Sequence, residues 1–189
     1  MDLRPPLPGL PVPALSDGNV VLRPWQRSDA AALVRIVSDP EVTRYTYLEP
    51  GFSEADARHW VATSRSSWGS GLARVAVADR TTDDPVGVVG FEVDWRRTSA
   101  EGFYWLDPAA RGRGVMTRAL RLLAGWGFAT VGIERLYLII EPANTASKAV
   151  AARADFRYEG LLRAYQPFKG TRPDFECWSL LPADQPGHW

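Results

Sequence analysis

The 189-residue sequence predicts an α+β domain built on a mixed sheet. Three observations carry that expectation. First, β-rich and helix-periodic runs follow one another in the order β-α-α-β-β-β-α-β-α-β-β, about seven strands and four helices. Second, three strands joined by turns precede a strand-helix-strand unit, so antiparallel and parallel pairing must coexist. Third, residues 104–120 join the two halves through an aromatic strand end, Asp107-Pro108, a Gly-rich basic turn and a helix.

Each element has a local cause. Residues 20–25 read as a strand, with Pro24 marking an edge or an end. Ser28 or Asp29 caps a helix with Ala31, Leu33, Val34 and Val37 apolar, and Asp39-Pro40 is its stop. Residues 42–51 read as irregular. Ser53 to Asp56 open a second helix running to about Trp68, with Gly69 and Gly71 ending it. Residues 72–78 and 86–93 form a hairpin around the turn chemistry of residues 79–85, and residues 100–106 add a third strand. Ala119, Leu122, Leu123, Trp126 and Ala129 then recur at helical spacing up to Gly132. Gly125 and Gly127 each weaken that helix by about 1 kcal/mol relative to alanine, which tight packing on the sheet would explain. Residues 135–140 are apolar on both faces, as a central parallel strand requires, and complete a right-handed βαβ unit. Asn144 caps a helix over residues 145–154. Residues 156–162 and 175–181 are the last strands, joined by a loop holding Tyr165, Phe168 and Arg172.

One domain, residues 19–182, is expected between a proline-stiffened arm (1–18) and a tail (183–189). Lys+Arg and Asp+Glu both number 22, so the charge balance invites neither nucleic acid nor an anionic membrane, and a small ligand is the better fit. Cys177 is the lone cysteine, which rules out an intramolecular disulfide and suits a reducing cytoplasm. It reads as a small apolar strand residue, because neither His59 nor His188 lies in a motif that would make it a nucleophile. No metal site is expected. No apolar run approaches the about eighteen residues that span a bilayer. The five prolines and single Arg of residues 1–15 match neither a signal nor a transit peptide.

Arg111-Gly112-Arg113-Gly114 before Val115, Met116 and Thr117 is chemistry for a phosphate: glycines admit a close ligand, and the helix start supplies free N–H groups. The spacing fits neither a nucleoside-triphosphate loop nor a dinucleotide fingerprint. It resembles the pyrophosphate loop of the GNAT superfamily of acyl-CoA-dependent N-acyltransferases. Further matches are Asn144-Thr145-Ala146-Ser147, Ala154 to Gly160, Leu22-Arg23-Pro24, Asp39 to Tyr45 and Glu159 to Arg163. Together they cover residues 19–181 and are most similar to the bacterial branch of ribosomal-protein N-terminal acetyltransferases (RimJ/RimL-like).

The resemblance implies the GNAT fold and acetyl transfer from acetyl-CoA, with CoA as product, to a primary amine on a protein N-terminus or a small molecule. It leaves a homodimer open. It implies a gap between the strand ending at Leu106 and residues 136–140. There the pantetheine arm pairs with the backbone of Trp105 and Leu106, and the pyrophosphate sits on Arg111, Gly112, Arg113, Gly114, Val115, Met116 and Thr117. Asn144 lies near the arm, and Ser147 meets the thiol end. The chain departs from the family at four places. Met116 replaces a Gly or Ala, so its side chain must turn away from the phosphate. Asp155 replaces a Gly and is expected to take a positive φ. Ala151 stands where many members carry a Tyr that protonates the thiolate, which leaves Ser147 for that role. No carboxylate follows the Glu159-Gly160 motif. Candidates for the proton acceptor are Glu92, Asp94, Glu101 and Glu141, with Glu101 and Glu92 preferred. Tyr45, Tyr47, Trp68, Tyr165 and Phe168 are candidates to wall the acceptor pocket, the tyrosines foremost. Two other readings stay open: succinyl or other acyl transfer, for which Arg74, Arg96 and Arg172 could supply a cation, and a non-catalytic acyl-CoA-binding domain.

Overall fold

Alternating apolar residues generate eight strands: β1 (Leu15–Ser16), β2 (Val20–Arg23), β3 (Leu72–Asp79), β4 (Pro85–Asp94), β5 (Ser99–Leu106), β6 (Arg135–Ile140), β7 (Arg157–Leu162) and β8 (Phe175–Leu180). In this computed structural model, which describes residues 5–10 and 14–184, they form one sheet in the order β1-β2-β3-β4-β5-β6-β8-β7. Every neighbouring pair is antiparallel except β5 and β6. The eighth strand comes from the arm, where Leu15 and Ser16 pair with Leu22 and Val21. Leu7 is also docked, buried and donating its N–H to the Trp68 carbonyl at 3.0 Å. Of the expected tail, residues 183 and 184 finish a turn (Pro182–Asp184), and 185–189 lie outside the described residues.

Among the described residues, four of the five α-helices cover the sheet. α4 (Val115–Trp126) and α5 (Thr145–Arg153) pack on one face, where Leu120, Leu123 and Ala151 meet Val89, Phe91, Leu136 and Leu138. α1 (Ala30–Val37) and α3 (Glu54–Ser64) cover the other, where Leu33, Val37, Ala57 and Val61 meet Val88, Phe103 and Trp105. α2 (Pro40–Tyr45) follows α1 directly. Among the described residues no helix is long and apolar enough to cross a membrane.

Several local expectations need correction. Asp39-Pro40 does not merely stop α1: Asp39 accepts the Glu41 N–H, and Pro40 opens α2 inside the stretch expected to be irregular. Proline is well suited to a first helical position because no intrahelical N–H is needed there. α3 ends at Ser64, and a separate 3-10 segment (Ser66–Ser70) carries the chain to Gly71. Asp29 makes no side-chain cap on α1. Its buried carboxylate instead accepts from Arg23 Nη1 at 2.7 Å and from the Gln26 N–H at 2.8 Å. Arg23 reaches Asp83 as well, at 2.8 Å, so one guanidinium ties β2, the entry to α1 and the β3–β4 turn together. Trp68 belongs to the core on the α4 side, 5.5 Å from the Trp126 ring, and walls no acceptor pocket.

Close approach rather than backbone freedom fixes Gly90. A Cβ there would lie 2.2 Å from the Ala73 carbonyl oxygen and 2.4 Å from Phe103 Cζ. The backbone of β3 cannot yield without breaking its ladder, so Gly90→Ala is expected to destabilise the fold by about 1–3 kcal/mol. Chemical denaturation measures it, and a variant as stable as wild type would contradict the packing. A Cβ on Gly127 would lie 2.9 Å from Ile133 Cδ1 and 3.3 Å from Phe91 Cε1, side-chain atoms that leave little room where α4 runs into a π turn.

Candidate active site

The site is built where β5 and β6 part. Their parallel pairing runs from Ser99↔Arg135 to Gly102↔Leu138 and stops, while β5 continues to Leu106 along β4 and β6 to Ile140 along β8. Backbone groups of alternate strand residues point to opposite neighbours. The Asp107 N–H bonds the Val86 carbonyl at 2.8 Å, and the Trp105 carbonyl faces Gly87. Tyr104 and Leu106 therefore turn their backbone groups into the gap. Of the two residues expected to pair with a ligand there, Leu106 is so placed, and Trp105 is committed to β4.

The basic loop lies at the mouth of this gap. Gly112 and Gly114 both take φ 73°, and a Cβ built on either would meet nothing within 4 Å. The first backbone bond of α4 runs from Arg118 to Gly114, at 3.1 Å. Val115, Met116 and Thr117 thus offer N–H groups with no partner in the helix. Free N–H groups at a helix start and unfilled space beside both glycines are the features an oxyanion site requires. Met116 turns inward and is buried, as its bulk demands. Arg113 is exposed, while Arg111 donates to the Leu106 carbonyl at 3.2 Å and pairs with Asp39. Arg35 steadies the strand end by pairing with Asp107 at 2.7 Å. Burial pushes the Asp107 carboxyl up, but Arg35 and the Ala109 N–H outweigh it and hold it below the usual range.

Across the gap, α5 begins at Asn144, whose Oδ1 accepts the Ser147 N–H at 3.0 Å. Ser147 Oγ lies 2.8 Å from the hydroxyl of Tyr104, which also lies 3.0 Å from the Ser147 carbonyl. Tyr104 lies two residues beyond Gly102, the last β5 residue paired with β6, so this contact sets the start of α5 over the divergence. Burial pushes the Tyr104 phenol well above its ordinary pKa and keeps it a donor. Its single hydrogen has two acceptors. Given to Ser147 Oγ, it frees the serine hydrogen to point into the cleft. Sequence reasoning passed over Tyr104. The available signal was a hydroxyl on an otherwise apolar strand end, but its partner lies 43 residues away. Asp155 takes φ 68°, as expected for the residue replacing a glycine.

The opposite face of the gap is acidic and aromatic. Glu101 on β5 stands directly across from Glu92 on β4 and lies 3.5 Å from the Tyr137 hydroxyl of β6. Burial raises the Glu101 pKa, and the charge of Glu92 adds to the rise against the opposing Tyr137 bond. Tyr137 is pushed up to about 12 by burial and then by Glu101. Burial and the Glu101 charge also raise Tyr47 and Tyr165, so three tyrosines share the field of one carboxylate. Tyr47 donates to the Pro167 carbonyl at 3.2 Å and meets the Phe168 ring at 5.0 Å, joining the loop after α2 to the β7–β8 loop. Lys169 strengthens that junction through the Thr43 and Leu48 carbonyls. Tyr45 instead lies under Arg44, with no contact to Glu101.

The other acids are differently engaged. Asp94 accepts from Arg97 at 2.7 Å and from the Arg96 N–H at 3.0 Å, which makes it a turn residue. Burial raises Glu141, and Arg44 and Lys169 partly offset it. Cys177 is buried between Arg135 and Glu159, and burial pushes its thiol up, which favours the protonated form. Arg172 spends its guanidinium on the Ala164 and Tyr165 carbonyls, and Arg96 is exposed on a turn.

Comparison with known proteins agrees with this geometry. Residues 19–157 match the family described as Acetyltransferase (GNAT) domain. The uncharacterised N-acetyltransferase p20 of Bacillus licheniformis is 32% identical over 89% of this chain and 96% of its own. The spermidine N(1)-acetyltransferase of Escherichia coli K12 is 26% identical over 76% of each. RimJ of Mycobacterium smegmatis, solved in complex with CoA-disulfide, superposes with a TM-score of 0.77 at 24% identity, covering 89% of this chain and 84% of that one. The last likeness establishes the fold. Taken with the family match across most of the chain, the extended identity to p20 and the diverging strands beside a glycine cradle, it leaves one assignment: the chain belongs to the GNAT acetyltransferase family.

Proposed function

We propose that this protein transfers the acetyl group of acetyl-CoA to a primary amine by direct attack in a ternary complex. The observation that carries the reading is the gap between β5 and β6, with an oxyanion cradle at its mouth, Ser147 on one face and Glu101 on the other. Residues 111–117 would hold the pyrophosphate, Leu106 would pair with the pantetheine arm, and Asn144 would hold the helix start beside it. Glu101 takes the ammonium proton of the acceptor, directly or through water. The amine nitrogen then bonds to the carbonyl carbon, the carbon–sulfur bond breaks, the sulfur leaves as thiolate, and the second proton shed by the nitrogen passes through water to the sulfur, so that CoA departs as the thiol. Ser147 hydrogen-bonds that thiolate, and Tyr104 orients the serine. Tyr47 and Tyr165 flank the acceptor. The lone Cys177 suits a reducing cytoplasm as the place of reaction.

A thiol-release assay with acetyl-CoA and succinyl-CoA over a panel of amines tests the reading. Release with acetyl-CoA that depends on the amine supports it. CoA binding with no release for any amine or donor sinks it in favour of a binding domain.

Ser147→Ala is expected to lower kcat about ten- to a hundredfold, the value of a hydrogen bond to a charged partner, with CoA affinity unchanged. Tyr104→Phe should cost less alone and nothing further in the Ser147→Ala background, since it acts through that hydroxyl. Additive losses in the double variant would separate the two residues.

A further inference from the structure

The arginine that found no role in the gap has an open surface groove of its own. Arg74, on β3, is half-buried and lines a space of about 470 Å³ with His59, Trp60, Thr63, Ser66 and Ser67. Its guanidinium lies 5.1 Å over the Trp60 ring. Trp60 is in turn held edge-on by Trp25 at 5.3 Å and by Trp105 at 6.3 Å, so the platform is fixed. Among the described residues Arg74 donates no hydrogen bond and forms no ion pair. Glu92, diagonal to it across the β3–β4 ladder, acts on it only through space. The surrounding hydroxyls cannot supply donors: Ser67 gives its hydrogen to the Ser64 or Leu72 carbonyl, Ser66 to Thr63, and Thr63 to His59 or Trp60. Five guanidinium N–H groups, partly stripped of water and pre-oriented on an aromatic face, therefore remain unspent.

The position relates this groove to the gap. Arg74, Glu92 and Glu101 lie on the same face of three successive strands. Two inter-strand steps and a two-residue offset along the strands separate the Arg74 and Glu101 Cα atoms, roughly 12 Å. A molecule whose amine sits at Glu101 and which extends along this face reaches Arg74 with its far end.

We propose that the acceptor is an amine carrying an anionic group, carboxylate or phosphate, roughly 10–12 Å from the nitrogen, and that Arg74 binds that group. This rests on the acetyl-transfer reading and names its substrate class. Arg74 is a specificity residue here, remote from the reacting atoms, so its effect falls on KM rather than on kcat.

Steady-state kinetics with acetyl-CoA test it using 8-aminooctanoate, the phosphate ester of an amino alcohol of matching length, and octylamine as the uncharged-end control. The wild type should use at least one anionic acceptor ten- to a hundredfold better than octylamine in kcat/KM, and whichever anion has the lower KM identifies the group. Arg74→Gln, checked for an unchanged melting temperature, should erase the preference while leaving octylamine turnover intact, and Arg74→Lys should keep part of it. Equal use of charged and uncharged acceptors by the wild type, or equal loss for both in Arg74→Gln, overturns the proposal. If no amine is acetylated, the acetyl-transfer reading fails by itself. The subsite is then read by calorimetry on CoA-loaded protein: 8-aminooctanoate binding lost in Arg74→Gln sustains it, and binding absent from the wild type or unchanged in the variant overturns it.

Discussion

Replacing Gly112 and Gly114 together with valine raises the dissociation constant for CoA by about a hundred- to ten-thousandfold. Both residues hold φ 73°, a region a β-branched side chain adopts only under strain. A built Cβ meets no atom within 4 Å, so the ligand-free loop has room to relieve that strain by rearranging, at modest cost to melting temperature. Rearrangement rotates the peptide N–H groups away from the phosphate position, and each charge-assisted bond lost is worth about 1.5–3 kcal/mol. Two such bonds account for the expected range. Calorimetry of CoA binding alongside thermal melting of the free protein separates affinity from folding. Unchanged affinity would place the pyrophosphate elsewhere.

Glu101→Gln lowers kcat about 10²- to 10⁴-fold, the usual contribution of a positioned general base, with the CoA dissociation constant unchanged. The pH dependence gives the sharper test. A base works deprotonated, and burial with Glu92 opposite raises the Glu101 pKa, so the wild-type rate should fall with decreasing pH at a point above the ordinary glutamate range. Glu92→Gln removes the opposing charge, which lowers the Glu101 pKa and moves that acid limb to lower pH with most of the turnover kept. A limb that stays in place in both variants would assign the proton to a water chain or to another group.

The strands were legible because their causes are local: alternating apolar residues in β3, β4 and β5, and turn residues between them. The cradle was legible because glycine spacing and a helix start lie within seven residues of chain. α2 was misread because Asp39-Pro40 serves both as an end and as a beginning, and nothing before Tyr45 has enough turns to show a period. Asp29 is a good cap by residue type, but the buried guanidinium of Arg23 takes its carboxylate. The proposed catalytic side was hardest to read. Glu101 differs from Glu92 and Asp94 only in what packs around it, and Tyr104 acquires its role from a helix 43 residues further on. Arg74 could be named as a free cation from the sequence, while its place over Trp60 depends on how α3 crosses β3.

The parting of β5 from β6 also changes what kind of surface the sheet presents. An ordinary open sheet has two edges, whereas this one has four, because the ends of both strands beyond Gly102 and Leu138 face each other without a ladder. Exposed edges are templates for pairing with other chains, and proteins usually blunt them with charge, proline or bulges. Here the inner pair is left apolar, with Leu106 on one side and Ile139 and Ile140 on the other. The start of α5 stands over them instead, held there by the 2.8 Å contact between Ser147 Oγ and the Tyr104 hydroxyl. The contact that orients Ser147 thus also covers one side of an edge that could otherwise pair with another chain.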